Sequence, residues 1–509
     1  MLARTESASV LGLDAYLVRV EIDISAGLPS FSIVGLPDAA IQESRERVRA
    51  GISNSEYDFP LKRITINLAP ADVRKEGPSF DLAIAVGILL AHSKLATDKI
   101  NDYLLLGELS LTGEVRKIKG VLPVVLFAKK AGKKGVVLPR ENAAEASLIK
   151  DIEIIPVSSL KETTDFFEES KVITPYTADI SKITPEAPSY ECDFSEVKGQ
   201  EHVKRALEIA AAGGHNVLMV GPPGSGKTML ARRLPTILPD MSMDEAVEVT
   251  KIYSVAGILA TSSPLLLMRP FRSPHHTISS AGLAGGGQFP RPGEISLSHN
   301  GILFLDEFPE FQKTALQVLR QPLEDGRVTI SRVQSSLTYP AKFTLIGAMN
   351  PCPCGFFGDE FKECICTPNQ IRQYRGKISG PLLDRIDIHM EVPRLTKKEL
   401  MYDKKSESSP AIKTRVQDAR ERQQKRFASL KITTNSRMKA RHIKEFCRLT
   451  DGAFQFLEKA LDKLGFSGRS YDRVLKLALT ISDLAKSNVI ETEHIAEALQ
   501  YRSLDRNIH

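Results

Sequence analysis

A glycine-rich octet, Gly221-Pro222-Pro223-Gly224-Ser225-Gly226-Lys227-Thr228, and a carboxylate pair, Asp306-Glu307, about eighty residues later constrain this chain more than anything else in it. The octet fits G-x-x-x-x-G-K-[ST] and follows an apolar run, Asn216-Val-Leu-Met-Val220, with the character of a buried strand. Gly301-Ile-Leu-Phe-Leu305 is a second such run, and it ends on the two carboxylates. A strand, a glycine turn and a helix start make a nest of backbone N–H groups that suits phosphates. In such a nest Lys227 reaches the β- and γ-phosphates, Thr228 and Asp306 hold Mg²⁺, and Glu307 polarises an attacking water. The expectation is a parallel-sheet core that binds and hydrolyses ATP.

At 509 residues the chain has room for about three domains. Its composition, 42% hydrophobic and 26% charged, permits ordinary cores. No apolar run reaches the roughly 18 residues needed to cross a bilayer. The opening Met1-Leu-Ala-Arg-Thr-Glu6 is too polar to begin a secretion signal. These features point to the cytoplasm, away from membranes, where the six cysteines read as thiols or metal ligands. The net charge is +6, but its distribution says more. Between Lys413 and Arg448 twelve basic residues face three acidic ones, an excess of nine. That stretch reads either as a nucleic-acid surface, with Arg420, Arg422, Lys425 and Arg426 as contacts, or as a solvated helix face.

Three regions and a linker organise the chain. Residues 1–168 alternate strand-like and helix-like segments: Leu17–Ile24, Phe31–Val34 and Arg63–Leu68 as strands, Asp81–Leu95 and Leu122–Ala131 as helices. This predicts an α+β domain. Residues 169–192 carry prolines without periodicity and read as a linker. The ATPase core spans 193–394, and 395–509 has the apolar spacing of a helical bundle, entered through the basic segment.

The core resembles AAA+ ATPases, within them the magnesium-chelatase-like and MCM-like branch. Phe343–Asn350 resembles the strand that ends in the water-orienting Asn350. Ser379–Asp387 resembles the segment that carries an arginine finger, which implies Arg385 for that role; the alternative is an internal pair with Asp384 or Asp387. Ser467-Gly-Arg469 resembles the sensor-2 helix entry, with Arg473 as second candidate. Asp193–Gln200 resembles the element beside the adenine. The first domain resembles the Lon-protease-like fold of the ribosomal S5 domain 2 type. Lys75-Glu-Gly-Pro-Ser79 resembles the loop of that protease's serine, but its lysine position falls on Leu122, with Lys119 at the wrong offset. A serine without a base is not activated, so no peptidase is expected. The three-part order resembles the YifB/ComM family. The resemblance implies a homo-oligomeric, hexameric ring that acts on single-stranded or branched DNA as a helicase, in uptake or recombination. The alternatives are a chelatase-like or a chaperone-like motor that remodels a protein.

Four cysteines, Cys352, Cys354, Cys364 and Cys366, lie within fifteen residues. Two such knuckles suit a tetrahedral zinc site, and the alternative is a loop of packed thiols. Asp325–Pro340 reads as two alternating strands around a polar turn. In the resembled branch such a hairpin enters the ring pore, which makes Arg332 a candidate phosphate contact; a plain surface hairpin is the alternative. The long Gly/Pro/Arg loop from Arg269 to Glu294, with His275 and His276, reads as a pore or subunit-contact loop.

Overall fold

The computed structural model describes residues 1–95, 97–177, 190–260, 263–287, 290–331, 336–396, 399, 401, 406–430, 432–464 and 468–502. They form two compact units, Met1–Glu186 with Ala246–Leu266, and Ala187–Glu245 with Leu267–His509. Among the described residues no helix is long and apolar enough to cross a membrane.

In the first unit β1 (Leu2–Leu11), β2 (Asp14–Ser25), β3 (Ser30–Val34) and β4 (Arg63–Ala69) form a sheet in the order β1-β2-β4-β3. Strand β1 pairs with β2 along its whole length, from Leu2 opposite Asp23 to Leu11 opposite Asp14. Helices α1 (Ala39–Asn54) and α2 (Asp81–Ala91) cover this sheet. Helix α2 is apolar all round and buried at nearly every position, as a central core helix is. Its one charge, Asp81, accepts from Arg47 Nε at 2.8 Å and from the Leu109 amide at 3.2 Å. That pairing makes a buried carboxylate tolerable. A second, parallel sheet of β5 (Tyr103–Leu105), β6 (Gly135–Pro139) and β7 (Glu153–Val157) packs with α3 (Val121–Lys130). Leu122 is fully buried in that cluster, so its position offers an apolar packing group and no amine. Helix α4 (Leu160–Phe167) follows β7.

The second unit starts with α5 (Glu201–Gly213), β8 (Val217–Val220) and α6 (Lys227–Arg233). Next comes α7 (Met243–Ala256), whose later part joins the first unit. There the Ser254 carbonyl accepts from the Gly120 amide at 3.1 Å, and Lys251 pairs with Asp14 at 3.2 Å. Residues 246–266, inside the span expected for the core, therefore belong with the first unit. The second unit resumes with β9 (Phe271–Arg272), β10 (Ile302–Leu305), the hairpin of β11 (Arg327–Ser331) and β12 (Ser336–Pro340), β13 (Thr344–Met349), α8 (Pro368–Arg375) and β14 (Ile388–Glu391). The order β9-β10-β13-β8-β14 is parallel throughout, and β8, β10 and β13 are buried on both faces. Such strands read as continuous apolar runs. Helices α9 (Ser409–Arg426), α10 (Ala440–Phe446), α11 (Asp451–Leu464), α12 (Gly468–Leu484) and α13 (Thr492–Gln500) complete the unit and share one apolar core with the sheet.

Candidate nucleotide site

Parallel sheets present ligand-binding loops at the carboxyl ends of their strands. Here the carboxyl ends of β8, β10 and β13 lead directly into Gly221, Asp306 and Asn350. The loop after β8 passes through left-handed backbone at Gly224 (φ 77°) and Gly226 (φ 88°), which a side chain would oppose. Lys227 is buried, and its ammonium donates to the carbonyls of Gly221 at 2.7 Å and Pro222 at 2.9 Å. Asn350 Oδ1 stands 3.5 Å from the same nitrogen. Burial pulls the Lys227 pKa down to about 8, against the raising effect of Asp306. All its contacts are neutral oxygens, so the cation lacks a touching anion, and a phosphate fits that deficit. Thr228 Oγ1 donates to Asp306 Oδ2 at 2.7 Å. A hydroxyl beside a carboxylate is the hard-oxygen pair that suits Mg²⁺.

Glu307 occupies left-handed backbone (φ 53°), an uncommon conformation for a residue with a side chain. Its carboxylate lies 3.0 Å from His276 Nδ1. His276 lies against His275, with ring centroids 4.1 Å apart and planes tilted by 33°, and meets Phe311 edge-on. The loop read as a pore or subunit contact thus touches the carboxylate expected to act on water. Sequence reasoning singled out the loop but not this pairing, because neighbours in space had no fixed spacing in the chain.

The arginines assigned by resemblance gather elsewhere. Asn216, which precedes β8, donates from its side chain to the Arg385 carbonyl at 2.9 Å. Arg385 therefore stands at the opposite end of β8 from the glycine loop, roughly 13 Å away at 3.3 Å per residue. Its guanidinium pairs with Glu324 and donates to the Pro381 carbonyl at 2.7 Å, while Nε is buried without a hydrogen-bond partner. The alternative of an internal pair holds with a different carboxylate, Glu324, since Asp384 lies 3.7 Å from Arg469 and Asp387 lies 3.6 Å from Arg473. Arg385, Arg469 and Arg473 line one cavity of about 620 Å³, where seven basic side chains face four acidic ones.

The basic stretch is a second correction. Arg420 donates to the Ala211 carbonyl at 2.9 Å, near the carboxyl end of α5, and burial lowers its pKa to about 9. Arg422 donates to the Ser487 carbonyl at 2.6 Å and to Asn488 at 2.8 Å. Arg426 bonds Asn435 at 3.0 Å and Asp483 at 2.9 Å, and Asp483 is itself buried. These three charges serve helix ends and a buried carboxylate. Lys425 is exposed. Arg332 lies outside the described residues, between β11 and β12.

The four clustered cysteines come together. Their sulfurs all lie within 4.8 Å of one another, with Cys352 to Cys354 at 3.3 Å, Cys352 to Cys364 at 3.7 Å and Cys354 to Cys364 at 3.6 Å. All are free thiols. A tetrahedron with zinc–sulfur bonds near 2.3 Å needs sulfurs about 3.8 Å apart, so the set fits the metal. Backbone amides of Cys354 and Phe357 donate to Cys366 and Cys352 sulfurs at 3.4 and 3.3 Å, as thiolate ligands require.

Residues 193–400 match the profile of magnesium chelatase subunit ChlI, residues 20–142 match that of subunit ChlI of Mg-chelatase, and residues 406–502 match the ChlI C-terminal profile. The YifB protein of Salmonella typhimurium is 43% identical over 507 residues, covering 99% of this chain and 98% of that protein. Competence protein ComM of Haemophilus influenzae is 42% identical over 508 residues, with the same coverages. A segment of 116 residues, 23% of this chain, is 40% identical to Lon protease 2 of Bacillus subtilis, of which it covers 20%.

Proposed function

The chain belongs to the YifB/ComM family of magnesium-chelatase-like AAA+ ATPases, and on that premise we propose that it is a ring-forming motor that couples ATP hydrolysis to movement along DNA. The observation that carries the reading is the split site. Lys227, Thr228, Asp306 and Asn350 converge at one end of β8, and Arg385 stands at the other. A cation needed at the γ-phosphate, yet held a strand away in its own chain, is delivered by the next copy of the chain. A closed ring, six-membered by family resemblance, satisfies every such interface.

Within one site the amides of Gly224–Thr228 and the Lys227 ammonium bind the phosphates. Thr228 and Asp306 would hold Mg²⁺, which neutralises charge on the β- and γ-oxygens when bound. Glu307, released from His276, accepts hydrogen bonds from the attacking water, and Asn350 helps to aim it. Arg385 of the neighbouring copy, with Arg469 or Arg473, meets the charge that spreads over the γ-phosphate in the transition state.

DNA as the track is favoured by the competence name of one relative and by the β11–β12 hairpin, with Arg332 between its strands. The structural uses of Arg420, Arg422 and Arg426 leave Lys425 as the contact proposed on α9. Turnover is expected to rise with added single-stranded or forked DNA, and binding to weaken steeply with salt. Each phosphate contact removed, first Arg332→Ala and then Lys425→Ala, reduces the log–log salt slope by about one. An active ATPase that neither binds DNA nor responds to it would replace this reading with a protein-remodelling or chelatase-like motor.

The cysteine cluster is proposed to hold one structural Zn²⁺. Purified protein should carry about one zinc per chain, and Cys352→Ser or Cys364→Ser should lose it. Elemental analysis that finds no zinc, in protein made with zinc present and without chelator, would leave four packed thiols.

A further inference from the structure

We propose that the cysteine knuckle is a wall of the base pocket: its Phe357–Phe361 segment receives the adenine of the bound nucleotide, and metal held by the four thiolates sets how tightly that base is bound. The proposal rests on the nucleotide reading above and deepens it by giving the base a partner.

The knuckle lies against the phosphate loop. A Cβ added at Gly355 would stand 2.7 Å from Pro223 Cδ, so the backbone there approaches the loop as closely as glycine allows. Beyond that contact opens a cavity of about 540 Å³. Gly221 and Pro222 line one side, and Phe357 through Phe361 line another. Its size falls in the roughly 300–1,000 Å³ range of small-molecule sites. A nucleotide whose phosphates lie along Gly224–Thr228 has its base within reach of this space. The remaining wall, which includes His202, Thr396 and Glu399, adjoins the element that resemblance places beside the adenine. There Gln200 Nε2 donates to Ser225 and Pro393 carbonyls at 3.0 and 2.9 Å, tying that element to the phosphate loop.

The lining suits a purine that carries an exocyclic amine. Phe357 and Phe361 are 47% and 60% exposed, large rings left at the cavity without an apolar cover. A base stacked on them would bury that surface, and aromatic stacking accepts any base. Carboxylates at Glu360 and Glu391 accept hydrogen bonds from the amine of adenine and oppose the carbonyl oxygen of guanine. Two cations of the same lining lie beside aromatic rings, Arg375 5.2 Å from the Phe357 centroid and Arg394 5.2 Å from that of the neighbouring Phe356.

The same segment is tied to the sulfurs. The Phe357 amide donates to Cys352 Sγ at 3.3 Å, and Arg375 Nε donates to the Pro351 carbonyl at 3.1 Å. At the other end, Arg394 pairs with the buried Asp359 at 3.2 Å. Metal at the sulfurs fixes the backbone from which Phe357 projects. Without it, four close thiols relax apart and the ring loses its place.

Competition binding on the full-length protein tests this, with ATP, GTP and inorganic tripolyphosphate as ligands. The proteins are wild type, Phe357→Ala, Phe361→Ala and wild type stripped of zinc by a chelator. ATP affinity is expected to fall about tenfold in each altered protein, the cost of one lost stack, with GTP affinity falling in parallel and tripolyphosphate affinity unchanged. The phenylalanine variants should retain their zinc, which separates loss of the wall from loss of the fold. Unchanged ATP affinity in both phenylalanine variants would overturn the proposal. Equal losses for ATP and tripolyphosphate would also overturn it, because the knuckle would then shape only the phosphate loop. A wild-type protein that binds neither ligand would instead fail the nucleotide reading and take this proposal with it.

Discussion

Lys227→Ala is expected to abolish nucleotide binding, whereas Glu307→Gln should bind ATP normally and lose about 10²- to 10⁴-fold in turnover. The two residues act at different moments. The Lys227 ammonium is buried among neutral oxygens that include two loop carbonyls, so its charge is available to a phosphate from the first encounter. Truncation removes the cation and leaves those carbonyls without a donor. The Glu307 carboxylate lies 3.0 Å from His276 Nδ1, and the work proposed for it is on the water. A glutamine retains the shape but accepts no proton. Equilibrium binding of a fluorescent ATP analogue and steady-state phosphate release separate the two effects. Wild-type turnover in Glu307→Gln would remove that residue from the mechanism.

Arg385→Ala should lower turnover by about 10³-fold or more while ATP affinity stays near wild type, because a finger meets charge that exists only in the transition state. The Arg385–Glu324 pair does not oppose delivery strongly. The Glu324 side chain is 63% exposed, so water screens its side of the pair and can take over its hydrogen bonds when the 16%-exposed Arg385 side chain leaves. Dependence on a neighbour has its own signature: specific activity rises with protein concentration. Inactive Lys227→Ala and Arg385→Ala chains, mixed in one ring, should recover part of the turnover, since some interfaces would then hold an intact loop and an intact finger. Mixed rings without recovery at any ratio would place the finger's action within one chain, against the separation along β8.

The phosphate loop, the acidic strand end and Asn350 were legible because each is a contiguous pattern whose spacing is set by one strand and one turn. The parallel strands were legible for a related reason, since burial on both faces leaves unbroken apolar runs such as Ile302–Leu305. Strand β1 was not. Its central Thr5, Glu6, Ser7, Ala8 and Ser9 are all buried, yet small polar side chains show no apolar alternation. Thr5 is satisfied by the Ala83 carbonyl at 2.9 Å, a partner 78 residues away. The family resemblance, too, was carried by contiguous motifs, and full-length relatives at 42–43% identity agree with it.

The sequence by itself therefore determined which chemical groups the chain owns: a glycine-rich loop with a lysine, a carboxylate pair, four clustered thiols and a surplus of arginines. Only the tertiary structure decided how those groups are used. A run of like charges looks the same whether it faces solvent or caps distant carbonyls. Arg420, Arg422 and Arg426 took their roles from Ala211, Ser487 and Asp483, which approach only when the helices pack. Helix α7 joined the first unit because its partners, Gly120 and Asp14, precede it by more than a hundred residues. The separation of Arg385 from Lys227 was likewise invisible in the chain, since both flank strands of one sheet and only pairing in register puts them at opposite ends of β8. Local patterns are written by neighbours in sequence; burial, pairing and distance are settled by neighbours in space, and at these residues the second set decided the role.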